Sequence, residues 1–152
     1  MNVEILERTD TFTIAIFRRV LLLVWSGRNS ALGVERSHAH FRELKGQARV
    51  ILSVVAPRPT GPPEDDTRAA LDRVRNHPVP GLLGVATLYE GSGFVAAAIR
   101  AIVTRIRQPG QGEATRFFRS AEEAASWAAE LLRQPELTGQ ALANAIREVR
   151  EA

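Results

Sequence analysis

The sequence predicts an α/β fold built on a mixed β-sheet, and three features of its 152 residues carry that expectation. Residues 3–25 hold three strand-like segments with no helical period between them. From residue 30 onwards, segments with a helical period alternate with short apolar, β-branched runs. Capping or breaking residues bound most of these segments, so the alternation is punctuated. Successive strands joined by short turns give antiparallel pairs, and strand–helix–strand succession gives parallel ones, so one sheet is expected to contain both. These signals leave the strand order open.

Val3–Thr9 and Thr11–Phe17 read as short strands. The second alternates, with Phe12, Ile14 and Ile16 on one side and Thr11, Thr13 and Ala15 on the other. Arg18-Arg19 interrupts the pattern before Val20–Trp25, a continuous apolar run suited to a strand covered on both faces. Over Ser30–Lys45 the period becomes helical: Ala31, Val34, His38, Phe41 and Leu44 share one side, Ser30 is the N-cap and Gly46 the left-handed stop. Ala48–Ala56 is the best candidate for a central strand. Four prolines within Pro57–Pro63 exclude both helix and strand and predict a stiff extended loop.

Glu64-Asp65-Asp66 opens the next helix, where carboxylates are favoured by the dipole, and that helix carries Ala70, Leu71 and Val74 and ends before Pro78. Leu82–Tyr89 is a third core strand. Glu90-Gly91-Ser92-Gly93 turns it into the helix Phe94–Gln108, whose stripe Phe94, Ala98, Ile102, Ile106 is reinforced by Val95, Ile99 and Val103. A stripe that wide predicts packing on more than one side. Thr115–Arg119 is a short edge strand. Ser120 and Glu123 form a capping box for a helix with Ala124, Trp127 and Leu131. Pro135 breaks that helix, Thr138 caps again, and Leu142, Ile146 and Val149 mark a last amphipathic helix that either packs on the domain or pairs with a second copy. The organisation expected is one domain over residues 1–134 with the helix of 135–152 appended to it.

Composition sets bounds. A chain of this size buries roughly 70% of its unfolded surface and needs no staple. Without cysteine there are no disulfides, zinc ribbons or thiol nucleophiles. The longest purely apolar run, Val20–Trp25, is too short to span a bilayer, and Met1-Asn2-Val3-Glu4 begins no secretory leader, so a cytoplasmic protein is expected. The net charge of +3 is small; all but one of the 20 basic residues are arginine, and they are scattered among acidic residues, which argues against nucleic-acid binding.

No catalytic constellation emerges. His38 and His40, two apart on a helix, face different ways and cannot share a metal. His38 reads as a satisfied core contact, His40 as a surface residue and His77 as a loop residue. No serine sits in a nucleophile elbow. In Gly91-Ser92-Gly93 the glycines permit a tight turn and Ser92 caps the helix; the functional alternative is an anion held by free N–H groups there. Glu64-Asp65-Asp66 and Glu122-Glu123 are explained by helix starts; Arg100, Arg105 and Arg107 could form a basic ridge for a phospholipid or acidic partner, but they spread over more than one face, which favours a solvated helix. No enzyme, metal or cofactor is expected.

The order of elements resembles the SpoIIAA-like (STAS/SEC14-type) domain family. The residues that carry the resemblance are the buried strand ending in Trp25-Ser26-Gly27, the Leu88–Phe94 turn into an alanine-rich helix, and Phe118-Arg119-Ser120-Ala121-Glu122-Glu123-Ala124 with Trp127, over roughly residues 3–133. It implies a four- to six-stranded mixed sheet and a non-catalytic module that binds a partner protein, or a carrier for apolar or lipid-like ligands. In the family's regulatory branch a serine at the helix start after the central strand is phosphorylated. The corresponding stretch Pro57–Thr67 lacks that Asp-Ser signature, and its hydroxyls are Thr60 and Thr67. The expected partner surface is therefore Arg58, Thr60 and Thr67, with Gly91, Ser92 and Gly93 as a secondary ligand or anion site. The alternative is a carrier holding a small apolar or anionic molecule between the sheet and the 94–108 helix.

Overall fold

A computed structural model describes residues 3–57, 65–76, 79–91, 93–106 and 114–152. Its six strands lie side by side in chain order: β1 (Val3–Arg8), β2 (Phe12–Phe17), β3 (Val20–Trp25), β4 (Val50–Val54), β5 (Gly84–Leu88) and β6 (Ala114–Phe118). The pairs β1–β2 and β2–β3 are antiparallel, and β3 through β6 are parallel. The fold is thus α/β with a mixed sheet.

The hairpins account for the antiparallel half. Arg18-Arg19 forms a two-residue turn between Phe17 and Val20, which pair directly. Such turns need positive φ, and Arg18 supplies it at 55°. Its guanidinium lies 5.2 Å from the centre of the Phe17 ring and donates to the Glu136 carbonyl at 3.1 Å. All residues of β2 and β3 are buried, so both faces of this half of the sheet are covered.

Three crossovers then step across the sheet in one direction, through α1 (Ala31–Glu43), α2 (Asp65–Asn76) and α3 (Gly93–Ile106). On one sheet face Phe12, Ile14, Leu21, Leu23, Trp25 and Ile51 pack with Val34 and Phe41 of α1 and Ala70 of α2. Further along that face Phe117 meets α3 through Ala96 and Ile99. The opposite face belongs to α4 (Ala121–Leu132) and α5 (Gly139–Glu151), which cover Phe17, Leu22, Val24, Leu52, Ala86 and Leu88. The Leu142, Ile146 and Val149 stripe of α5 is spent on this core, each residue being buried.

Two expectations need correction. The left-handed stop after α1 begins one residue early: Lys45 already has φ 48°, followed by Gly46 at 92°. More consequentially, the described part of α3 is packed on one side only, the stripe residues Val95, Ile102, Val103 and Ile106 lying outside the described side chains. Ala96 is buried and Ile99 half-buried, but Phe94 is 88% exposed, and Ala97, Ala98 and Ala101 are exposed too. The helix packs on β6, the last strand of the sheet, with a light contact to α2.

Candidate functional site

The carboxyl ends of β3 to β6 form one edge of the sheet, and α1, α2 and α3 all begin from it. In open α/β sheets ligands bind at this edge where the strand order reverses, whereas here the order runs β1 to β6 without a reversal. The edge is built around Trp25. The indole N–H donates to Ser53 Oγ at 2.9 Å across two adjacent parallel strands. Phe12 meets the Trp25 ring edge-on at 5.7 Å, and α1 lies so close above it that a methyl group at Gly33 would overlap the ring. Ser30 caps α1, its hydroxyl oxygen accepting from the Gly33 N–H at 3.3 Å.

Thr67, in the first turn of α2, is 2% exposed, and its hydroxyl donates to the Asn29 carbonyl at 3.3 Å. Of the expected partner-contacting residues it is the one within the described chain, and it is turned inward, bracing α2 against the approach to α1. Arg58 and Thr60 lie outside the described residues, as do His77 and Ser92. Gly91 lies under the ring of Tyr89, where a β-carbon would collide with the phenol, so the close approach requires glycine. Gly93 starts α3 at φ 76°, in the left-handed region. The apolar side chains between the sheet and α3 (Val55, Tyr89 and Ala96, with Ile99 and Phe117) pack against one another.

Among exposed polar residues such as Arg28, Asp66 and Glu90, the edge also presents two large apolar side chains. Leu32 in the first turn of α1 is 58% exposed, and Phe94 in the first turn of α3 is the most exposed large hydrophobic residue described. They stand on either side of the α2 start. Leu32 falls off the Ala31, Val34, His38, Phe41 stripe; Phe94 belongs to the apolar stripe expected to pack, yet its ring is exposed.

Around the corner, on the α5 side, the Arg150 guanidinium donates to the Val55 carbonyl at 3.2 Å. Burial pushes this group below its ordinary pKa, against the opposing charge of Glu90. A shallow groove of about 230 Å³ lies there among Glu90, Ala143, Ile146, Arg147, Arg150 and Glu151. A second, of about 580 Å³, runs between α4 and the segment that returns from it, past Ser126, Ala129, Leu137 and Thr138.

His38 is buried as expected, its Nδ1 3.0 Å from the Val34 carbonyl, and burial lowers its pKa. His40 is not the free surface residue expected: its side chain is 14% exposed and its Nε2 lies 2.8 Å from Glu7 Oε1. Arg36 donates to the same oxygen at 2.9 Å through Nε, and the two donors hold the Glu7 carboxyl below its usual range. A register shift between Ile5 and Glu7 in β1 precedes this contact, and such bulges re-aim side chains. Nothing in the local sequence marks a bulge at that position. Among the described residues no group of three or more histidine or acidic side chains is arranged to hold a metal ion.

Compared with protein-family models, with curated proteins and with solved structures, the chain matches none.

Proposed function

We propose that the chain is a non-catalytic regulatory or scaffolding module of STAS-like type that binds another protein through the carboxyl edge of its parallel strands. The observation that carries this reading is the pair Leu32 and Phe94, two of the three large hydrophobic side chains exposed among the described residues, both in first helical turns at that one edge. Single exposed apolar residues need no explanation, but two flanking one edge suit the apolar centre of an interface. Three hydrogen bonds brace that edge: Thr67 on Asn29, Trp25 on Ser53, Ser30 on Gly33. A pre-formed surface of that kind binds without a large ordering cost. The resemblance of the Trp25-Ser26-Gly27 and Phe118–Trp127 segments to SpoIIAA-like domains points the same way.

The competing reading is a carrier for a small apolar or anionic molecule beneath α3. It would need the apolar side chains there to line a space, whereas Val55, Tyr89, Ala96, Ile99 and Phe117 pack on one another.

Site-specific photo-crosslinking in the native cell tests the proposal. A photoreactive residue at position 32 or 94 is expected to give a discrete adduct of higher mass that is absent when the same residue is placed at position 140, on the exposed start of α5. Adducts equal at all three positions, or none at 32 and 94, would remove the edge as the interface.

A further inference from the structure

Three non-glycine residues among those described have a left-handed backbone: Arg18 at φ 55°, Lys45 at 48° and Arg133 at 55°. Most L side chains are strained there, and glycine or asparagine is the ordinary occupant of a tight hairpin turn or a helix stop. Here all three are long cations at the amino edge of the parallel strands. Arg18 lies in the β2–β3 turn, Lys45 just after α1, and Arg133 caps the end of α4. One local rule broken three times, with the same chemistry and at one end of the molecule, points to function rather than folding.

Hydrogen bonds knit the centre of that end together. The Arg49 N–H donates to the Arg19 carbonyl at 2.9 Å, joining the starts of β4 and β3, and the Arg19 guanidinium donates to the Gly46 carbonyl at 3.4 Å, next to Lys45. The Lys45 N–H donates in turn to the Arg42 carbonyl at 3.3 Å. Arg18, Arg42 and Lys45 are exposed and Arg19 and Arg49 half-buried; none of the five forms an ion pair with a described carboxylate. Glu43 is the one acid within these two segments, and its carboxylate lies 4.0 Å from His40 Nδ1. Glu4 and Glu136 stand at the margins, and Arg133 lies further off along the groove with Glu130. Basic residues that look scattered along the sequence are thus gathered at one end by the fold.

We propose that this amino edge is a docking surface for the phosphate backbone of a nucleic-acid duplex, bound without regard to sequence. Guanidinium and ammonium groups are the usual phosphate contacts, and neutralising phosphates supplies affinity by charge alone. What the surface lacks among the described residues narrows the choice of anion. Of the three exposed large hydrophobics, Leu32 and Phe94 lie at the opposite edge and Ile5 on the outer strand, so this end has no apolar group to insert into a bilayer and no apolar centre for an acidic protein. Nor does it expose an aromatic ring on which the bases of a single strand could stack, which leaves the duplex backbone. The surface is at the other end of the strands from the protein-binding edge proposed above, and the two readings stand or fall separately.

Fluorescence anisotropy of the full chain with a labelled DNA duplex of arbitrary sequence tests it. The expected result is binding at low salt that weakens as salt is added, with a log–log slope of about −3 to −4 for roughly four phosphate contacts. Arg18→Asn and Lys45→Asn each replace a strained cation by a residue that suits the left-handed backbone. Each should keep or raise the melting temperature while weakening binding several-fold and making the slope shallower by about 1. Arg147→Gln removes an exposed charge near the far end of α5 and should leave binding unchanged. No binding at low salt, a slope that neither asparagine variant alters, or an equal loss in Arg147→Gln would overturn the proposal. So would binding to polyglutamate or to phosphatidylglycerol vesicles as tight as to the duplex, since the surface would then answer to an acidic protein or a lipid headgroup.

Discussion

Trp25 joins three elements of the fold, β2, β4 and α1. It packs against Phe12, donates to Ser53 and lies directly beneath α1 at Gly33. A methyl group at Gly33 has no room, so Gly33→Ala must displace the helix or the indole. Overpacking of this kind costs typically about 1–3 kcal/mol, outweighing the gain in helix propensity. Chemical denaturation is expected to show a lower midpoint for Gly33→Ala with an unchanged slope. His38 gives a second residue-level expectation. Burial lowers its pKa in the folded chain, so between that lowered value and about 6.5 the unfolded state binds the extra proton. Stability should therefore fall as pH drops below about 6.5, and His38→Leu should abolish that part of the pH dependence in melts run across the range. An unchanged pH profile in the leucine variant would show that His38 is not the group responsible.

At the scale of elements, β1 is an edge strand with several exposed residues; it pairs only with β2 and carries a bulge. Two polar ties fasten it to opposite layers. Glu7 meets Arg36 and His40 of α1, and the Arg8 guanidinium donates to the Val149 carbonyl of α5 at 3.2 Å. Because Glu7 titrates below its usual 4.5 in the folded chain, its contribution is present above that pH and is lost as pH falls through the lowered value. Glu7→Gln should cost about 1 kcal/mol at neutral pH, a modest figure because Arg36 is partly exposed, and should flatten the acid limb of the stability profile. Hydrogen exchange should show faster opening of β1 amides alone in that variant. The strands and helices themselves were largely legible, because each buries a contiguous stripe and is bounded by Ser30, Pro78, Ser120, Pro135 or Thr138. What was not legible depends on neighbours. Periodicity reports that a helix has an apolar stripe but not whether anything covers it, and so places Phe94 with the core. The Glu7–His40 contact joins residues 33 apart through a bulge that no local signal announces.

At the scale of the whole molecule, strand order equals chain order, so each crossover steps the same way and α1, α2 and α3 accumulate on one face. The other face would stand bare without the C-terminal pair of helices. Leu142, Ile146 and Val149 of α5 are all buried against it, at about 1.5–3 kcal/mol each, a sum comparable with the entire stability of an ordinary domain. Deleting residues 139–152 should therefore abolish the cooperative melt rather than merely change the native mass; a truncated chain that still melts cooperatively would show that α5 is an accessory. The sequence could not rank the two fates of that helix, because an amphipathic stripe looks the same whether its partner is its own sheet or another chain. The carboxyl edge of the sheet is proposed to be a protein-binding surface. Native mass spectrometry of untagged chain, gently purified from its source alongside a Leu32→Glu variant, tests this most directly. A polypeptide-sized partner on the wild type and its loss from the variant are the predicted result. A small non-covalent mass retained by both would contradict it and make the chain a carrier.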